Sequence, residues 1–212
     1  MDVMEKAKKY MKGTTTVGIA CEEGTVLVSD KRATMGTLIA HKIVQKSFMI
    51  DRHIGATVAG AVADAQTMIR WMQSEATLYR MRQGDEMSVE AAATLLSNIL
   101  FSQRYYPMIV QVILGGVDEK GARLFSLDPL GSSIEDKIIA TGSGSPVAYG
   151  VLEDNYKEDL PLKECTKIGI RALRSALKRD AMTGDGIDVV EITGTGFRKL
   201  SSNEVEKISK AL

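Results

Sequence analysis

Two hydrophobic periodicities follow one another in blocks along this 212-residue chain, and their order constrains the fold more than any other feature. Strand-like alternation comes first, a helical spacing of three and four residues second, and both blocks recur before a final pair of strands. Because helices come in pairs between runs of strands, we predict an α+β protein with helix layers outside a β core. The predicted strands cover about 15–30, 43–59, 108–114, 122–127, 134–140, 189–192 and 197–200, and helices begin near 62, 88, 146, 162 and 201. We expect the first helix to end near Gly84, Ser88 to be the N-cap of the second, and the fourth to end at about Ala181.

Composition and charge are typical of one globular domain. Charged residues make up 25%, apolar residues 44%, and 27 basic residues balance 27 acidic ones, so neither nucleic acid nor an anionic membrane is indicated as a partner. No apolar run approaches the roughly 20 residues of a membrane span, and the first 13 residues have no apolar segment like that of a secretory signal. Cys21 and Cys165 lack metal-ligand spacing and fit a reducing compartment. We therefore expect a cytoplasmic protein without a metal site.

The junction between a lysine-rich leader and the first strand has the sequence Gly13-Thr14-Thr15-Thr16. A threonine at a new N-terminus would carry both a hydroxyl and an α-amine that titrates at roughly 7.7–8.0. Such an amine takes the hydroxyl proton itself or through a water, which is a known form of covalent catalysis. By itself the segment is more simply interpreted as a loop that enters a strand.

A nucleophile of this kind needs a nearby cation and carboxylates, and two segments offer candidates. Asp30 ends the second predicted strand beside two basic residues, so a surface ion pair is its simpler interpretation. Alternation places Lys46 on the same face as Val44 and Phe48, which leaves two alternatives. Lys46 is either buried with a counter-charge or extends to the surface.

Two turns and two histidines also call for a functional interpretation. Residues 141–146, Thr-Gly-Ser-Gly-Ser-Pro, would bring hydroxyls and amides to a reacting group, cradle a phosphate, or form a plain turn with a serine N-cap. The dinucleotide and P-loop patterns are both absent there. Residues 179–184 close a long helix, for which Gly184 as a left-handed C-cap is the simple interpretation. His41 and His53 have no partner at metal or triad spacing and are interpreted as structural or surface residues.

In combination these segments resemble the β subunits of the proteasome core particle, closest to the archaeal type, over essentially the whole chain. Six ordered blocks carry the resemblance. They are Gly13-Thr14-Thr15-Thr16-Val17-Gly18, Ser29-Asp30-Lys31-Arg32-Ala33-Thr34, Val58-Ala59-Gly60 with Asp64-Ala65-Gln66, Ala93-Thr94-Leu95-Leu96-Ser97-Asn98, Thr141-Gly142-Ser143-Gly144-Ser145 with Tyr149-Gly150-Val151-Leu152-Glu153, and Arg179-Asp180.

The resemblance implies a four-layer αββα sandwich of the N-terminal-nucleophile hydrolase type and a threonine endopeptidase. Residues 1–13 would be a propeptide removed by self-cleavage of the Gly13–Thr14 bond, and residues 14–212 a single catalytic domain. The implied roles are Thr14 as the nucleophile, Lys46 as the charge beside it, Asp30 as the partner of that lysine, Ser143 and Asp180 as hydrogen-bonding groups around the threonine amine, and Gly60 as the oxyanion donor. Thr183 stands where many relatives carry serine, so its implied role rests on the hydroxyl alone.

The resemblance also implies how substrate binds. An extended peptide would add as a strand along Ala33, Thr34 and Gly60. The pocket beside Thr14 would be lined by Ala33, Val44, Phe48, Val58 and Val62. Because these side chains carry no charge, we expect cleavage after large hydrophobic residues, a chymotrypsin-like preference.

The implied assembly is a homo-heptameric β ring, two of which stack between heptamers of α subunits. Unfolded proteins would enter through the α ring with the help of a regulatory ATPase. No cofactor or metal is implied for peptide hydrolysis. The precursor would be inactive until assembly, because residues 1–13 block the amine of Thr14.

Four alternatives remain at this point. A structural ring subunit without catalysis would share the fold, but it would not need all of Thr14, Asp30, Lys46, Ser143 and Asp180. A simpler bacterial threonine protease would form hexameric rings and is usually a shorter chain. An α-type subunit is disfavoured by the short leader, and a nucleotide-binding protein by the missing motif positions around residues 141–146.

Overall fold

The structure is a computed structural model that describes residues 13–212, so the proposed leader lies outside the described residues apart from Gly13. The twelve strands and five helices of these described residues are numbered in chain order. Strands β1 to β12 are Thr15–Ala20, Gly24–Asp30, Ala33–Met35, Leu38–His41, Ser47–Asp51, Ile54–Gly60, Val110–Asp118, Gly121–Leu127, Ser133–Glu135, Ile138–Gly142, Ile187–Thr193 and Gly196–Lys199. Helices α1 to α5 are Val62–Gln83, Val89–Ser102, Ser145–Asn155, Leu162–Arg179 and Ser202–Lys210.

Two five-stranded antiparallel sheets form the centre of the protein. The first has the order β10-β1-β2-β11-β12 and the second the order β5-β6-β7-β8-β9, while β3 and β4 form a separate two-stranded ribbon. Helices α3, α4 and α5 cover the first sheet, and α1 and α2 cover the second. The predicted four-layer αββα sandwich is therefore confirmed.

The two sheets pack on each other through a small apolar layer. Leu27, Ile113 and Leu124 belong to this layer and are fully buried. Gly18 lets the sheets approach closely, because a Cβ atom there would lie 2.8 Å from side-chain atoms of both Ile113 and Leu124. Every residue of β1 is buried, since helices cover one face of its sheet and the second sheet covers the other.

Two predicted helix boundaries are confirmed and three local predictions are wrong. Gly84 ends α1 in the left-handed conformation, and the side chain of Ser88 caps α2 by accepting the N–H of Ala91. Gly184 is not a helix cap, because α4 already ends at Arg179, two residues before the predicted end, with Asp180 as its extended C-cap. Helix α3 has Gly144, not a serine, at its N-cap. The extended segment expected from residue 43 forms a strand only from Ser47.

The segment predicted as one strand over 134–140 is two strands in different sheets. Ser133–Glu135 pairs with β8 in the second sheet, whereas Ile138–Gly142 pairs with β1 in the first. The chain changes sheets at the two residues between them, 136–137. Alternation alone could not show this crossing, because it reports which residues share a face and not which neighbour a strand chooses. The result places the end of β10 beside the start of β1, where the candidate site lies.

Helices among residues 13–212 are too short or too polar to cross a membrane.

Candidate active site

Thr14 lies at the head of β1 and is almost fully buried. Its Oγ1 donates a hydrogen bond to the carbonyl oxygen of Gly13 at 2.7 Å, so the hydroxyl lies against the peptide group that precedes it. Gly13 has a φ of 123°, and a Cβ atom there would lie 2.0 Å from Oγ1 of Thr34. Both the left-handed backbone and the close approach of Thr34 therefore require glycine on the N-terminal side of this bond.

The Thr14 carbonyl group is held from the other side by the turn that follows β10. The backbone N–H of Ser143 donates to the Thr14 oxygen at 2.8 Å, and Thr15 pairs with Gly142 in the β1–β10 ladder. Gly142 is required here because a Cβ atom would lie 1.8 Å from the Thr14 oxygen. Ser143 and Gly144 thus form a turn between β10 and α3 that supports the residue at the head of β1.

Asp30 and Lys46 form a buried ion pair next to this position. The Nζ atom of Lys46 lies 2.6 Å from Oδ1 of Asp30 and donates a second bond to the backbone oxygen of Arg32 at 2.5 Å. The side chains of Lys46 and Asp30 are 6% and 0% exposed. The surface alternative for each residue, raised from the sequence, is therefore wrong, because each supplies the counter-charge that allows the other to be buried.

Burial shifts the titration of both partners. It raises the pKa of the Asp30 carboxyl, against the opposing effects of Lys46 and of the backbone N–H groups of Gly184 and Thr15. It lowers the pKa of the Lys46 ammonium, an effect that the nearby Arg32 charge reinforces and that Asp30 opposes. A buried lysine with a lowered pKa can exchange a proton at lower pH than an exposed one.

Asp180 is the centre of a second polar cluster, at the C-terminal end of α4. Its Oδ2 accepts hydrogen bonds from the hydroxyl of Ser143 at 2.6 Å and from the hydroxyl of Thr183 at 2.5 Å. Its Oδ1 accepts the backbone N–H of Met182 at 3.3 Å. The structure thus brings Ser143, Asp180 and Thr183 together beside the carbonyl group of Thr14, to which the Ser143 hydroxyl also points at 3.4 Å.

An open cavity of about 190 Å³ lies beside Thr14 and has an apolar wall. Thr14 and Lys46 both line it, together with all seven residues predicted for substrate binding, which are Ala33, Thr34, Val44, Phe48, Val58, Gly60 and Val62. Their placement around one cavity is a finding, whereas their roles stay predictions.

Gly60 closes strand β6 at the wall of this cavity. Its φ is 139°, and a Cβ atom there would lie 2.0 Å from the carbonyl oxygen of Ile109. No other residue fits this turn without moving the backbone of the neighbouring strand. The backbone of residue 60 is therefore packed closely against Ile109, which directly precedes β7.

Sequence reasoning missed several residues of the site. Gln45, Ala65 and Gln66 also line the cavity, and helical spacing carried a signal for Gln66 because it follows Val62 by four residues on α1. Thr15 was missed as well, and its hydroxyl lies 2.6 Å from that of Thr183. The sequence contains no signal for this last contact, because the two residues are 168 positions apart.

The histidines and cysteines lie elsewhere. Nε2 of His53 is 2.8 Å from the carbonyl oxygen of Met87, which gives this buried ring a structural role, and His41 is exposed on β4. Cys21 and Cys165 are buried in the apolar cluster between the first sheet and its helices. Within residues 13–212, no three His, Cys, Asp or Glu side chains come together as a possible metal site.

An αββα sandwich with a threonine at the head of its first strand is the architecture of the N-terminal-nucleophile class of hydrolases, and here a buried lysine–aspartate pair lies beside that threonine. Residues 10–192 match the family described as "Proteasome subunit". The chain belongs to this family as a proteasome β subunit of the archaeal type, and it is a threonine peptidase of the proteasome core.

Three relatives illustrate how far this similarity extends. The chain is 55% identical to the proteasome subunit beta of Methanothermobacter thermautotrophicus over 201 residues, which cover 94% of this chain and 96% of the relative. It is 52% identical to that of Methanosarcina barkeri over 96% of this chain and 97% of the relative. It is 50% identical to that of Ferroglobus placidus over 96% and 98%.

Proposed function

We propose that Thr14 becomes the nucleophile of this peptidase after the chain cleaves its own Gly13–Thr14 bond. The observation that carries the proposal is that Thr14, whose hydroxyl lies 2.7 Å from the Gly13 oxygen, lines one cavity together with Lys46, the cation of the buried Lys46–Asp30 pair. Residues 1–13 are then a propeptide, and residues 14–212 are the catalytic domain.

Self-cleavage uses groups that already surround the bond. Oγ1 of Thr14 attacks the carbonyl carbon of Gly13, the C–N bond breaks, and the amine of Thr14 receives the proton. This step leaves an ester between Gly13 and the Thr14 oxygen. Water then hydrolyses the ester, which releases a carboxylate on Gly13 and the hydroxyl of Thr14, whose α-amine is already free.

Peptide hydrolysis repeats the same attack on a substrate. The free amine of Thr14 takes the hydroxyl proton, and the charge on Lys46 stabilises the developing oxygen anion of the nucleophile. Ser143 and Asp180 hold the amine, with Thr183 completing their hydrogen bonds. The backbone N–H of Gly60 is the proposed donor to the oxyanion of the tetrahedral intermediate.

The proposed preference is for large hydrophobic side chains before the cleaved bond. Val44, Phe48, Val58 and Val62 form the apolar wall of the cavity, and Asp30 balances the positive charge of Lys46. The substrate backbone would run along Ala33, Thr34 and Gly60 as an added strand. Faster turnover of substrates with an acidic or basic residue at that position would contradict this assignment.

The proposed assembly is a heptameric β ring, paired with a second ring between α-subunit heptamers, in the cytoplasm. Large apolar side chains exposed in the single chain support assembly, among them Ile43 at 83%, Tyr106 at 82% and Met81 at 76% exposure. Unfolded proteins are the proposed substrates, delivered through the α ring by an ATPase.

Intact-mass analysis of the chain, co-expressed with archaeal α subunits, tests the proposal. We expect a mature chain that begins at Thr14 and gains the mass of an epoxyketone inhibitor. The Thr14→Ala variant should keep residues 1–13 and gain no mass, whereas Thr16→Ala, two positions along the same strand, should behave like the unmodified chain. An uncleaved chain inside complete particles would support the structural-subunit alternative. A native mass that corresponds to rings of six subunits would support the bacterial type of threonine protease.

A further inference from the structure

Thr15 directly follows the proposed nucleophile and is fully buried. Its hydroxyl lies 2.6 Å from that of Thr183 and accepts the backbone N–H of Gly144 at 3.0 Å. Its own backbone N–H donates to Oδ1 of Asp30 at 3.1 Å. Thr15 therefore contacts both polar clusters of the site, through the backbone on one side and the side chain on the other.

Counting protons determines the direction of the side-chain contacts. The Thr183 hydroxyl has one proton, which it donates to the Asp180 carboxylate at 2.5 Å, because an ionised carboxylate only accepts. Thr183 must then accept from Thr15. Thr15 in turn accepts from Gly144. The result is one directed chain from the Gly144 N–H through two threonine hydroxyls to Asp180.

We propose that Thr15 is a positioning residue for the peptidase reaction, in which its hydroxyl orients Thr183 and thereby the Asp180 carboxylate. This inference rests on the proposed function, in which Asp180 holds the free amine of Thr14. The Thr15 hydroxyl itself touches no reacting atom. It prevents the Thr183 hydroxyl from rotating away from Asp180, since the Thr183 oxygen is already bound to the Thr15 proton.

Two substitutions at Thr15 separate a hydrogen-bonding role from a packing role. Thr15→Val keeps the shape of the side chain and removes the hydroxyl, whereas Thr15→Ser keeps the hydroxyl and removes the methyl group. If the side chain only fills space, valine should preserve activity better than serine. If the hydroxyl chain positions Asp180, serine should preserve activity better than valine.

Thr16 supplies a matched control on the same strand. It is also fully buried, and its hydroxyl lies 2.6 Å from that of Thr141, with no link to Asp180. Thr16→Val therefore removes an equivalent hydrogen bond between two buried threonine hydroxyls. We expect its kcat to stay within about twofold of the unmodified chain, because a lost neutral hydrogen bond away from the reacting groups affects stability rather than rate.

The experiment measures kcat and KM in assembled particles. Each kcat is expressed per active site, and active sites are counted by titrating mature Thr14 with an epoxyketone. We expect Thr15→Val to lower kcat about ten- to a hundredfold with little change in KM, which is the scale of a hydrogen bond that acts on a charged group. Thr15→Ser should stay within about threefold. The acid limb of the kcat profile in Thr15→Val should move to lower pH, because a poorly placed carboxylate stabilises the Thr14 ammonium less.

If Thr15→Val does not mature, the comparison moves to Thr183, the next hydroxyl of the same chain, where Thr183→Ser should retain more activity than Thr183→Val. If Thr15→Val matures, it should reduce kcat far less in the Thr183→Val background than alone. Equal activity of Thr15→Val and the unmodified chain, or a better rate for valine than for serine at position 15, would overturn the inference. Inactivity of the unmodified chain would instead refute the proposed function.

Discussion

The Nζ atom of Lys46 lies 2.6 Å from Oδ1 of Asp30, and both side chains are almost completely removed from solvent. Asp30 ends β2 in the first sheet, whereas Lys46 directly precedes β5 in the second. The ion pair therefore joins the two sheets at the edge where Thr14 lies. It serves the packing of the sandwich and the electrostatics of the site at the same time.

Breaking this pair should reduce stability, and restoring neutrality should recover it. Lys46→Met leaves Asp30 buried without its cation, for which we expect a loss of about 3–5 kcal/mol in the free energy of unfolding. The double variant Asp30→Asn/Lys46→Met should regain much of this stability without regaining peptidase activity. Urea unfolding of the purified chain and peptide turnover by assembled particles provide the two measurements.

An exposed pair serves as the control for this experiment. Lys210 lies 2.7 Å from Glu206 on α5 with 75% of its side chain exposed, so Lys210→Met should change stability little. If Lys46→Met were no more destabilising than Lys210→Met, the structural role of the buried pair would be refuted.

The rate of peptide hydrolysis should decline at a lower pH than the ordinary pKa of a lysine side chain would predict. The proposed mechanism needs the charged form of Lys46, and burial lowers the pKa of this ammonium. Activity is therefore present below that pKa and lost as the pH rises through it, at a pH below the ordinary lysine value of about 10.4. The measurement is kcat/KM across the neutral and alkaline range, with native mass recorded at each pH to confirm intact particles.

Lys46→Arg tests whether this alkaline limb belongs to Lys46. Arginine keeps its charge throughout the range, so any activity left in this variant should lack the decline. Undiminished activity of the unmodified chain up to about pH 10.4, in intact particles, would contradict the assignment.

A cation at the rim of the cavity should change the substrate preference. Val62 lines the cavity and is 47% exposed, so Val62→Lys adds a charge without burying it. We expect the ratio of kcat/KM for a phenylalanine over a glutamate substrate to fall about tenfold, which corresponds to about 1.4 kcal/mol. Fluorogenic peptides that differ only at this position measure the ratio.

Gln83→Lys is the control on the same helix. Gln83 is polar and exposed and lies twenty-one residues after Val62, or about 32 Å along the helix axis. Its substitution should leave the ratio unchanged. An equal shift in both variants would show that a general charge effect, and not the cavity wall, determines the preference.

Two glycine-to-alanine substitutions should have opposite effects on stability. Gly60→Ala places a Cβ atom 2.0 Å from the Ile109 oxygen at a φ of 139°, so the thermal midpoint should fall and peptide turnover should be lost. Gly150 lies within α3, and a Cβ atom added there would meet no neighbouring atom within 4 Å, so Gly150→Ala should raise stability by about 0.5–1 kcal/mol. Calorimetry of the purified chains measures both changes, and a raised midpoint for Gly60→Ala would refute the close contact with Ile109.

The sequence by itself determined the class of fold and the order of its layers. Hydrophobic spacing located the helices, since one face of α1 and of α2 must be apolar to cover a sheet, and local capping signals at Gly84 and Ser88 need no distant partner. The Gly13–Thr14 junction and the pattern of its neighbours identified the family, with no information about geometry.

The tertiary structure alone decided which side chains meet. Lys46 could be assigned to the surface or to the core from its alternation, and only Asp30, sixteen residues away, supplies the counter-charge that makes burial possible. The contact of Thr15 with Thr183 spans 168 positions. Between Glu135 and Ile138 the chain passes from the second sheet to the first. Periodicity reports only the face on which a residue lies, whereas partners across sheets follow from how the whole chain packs.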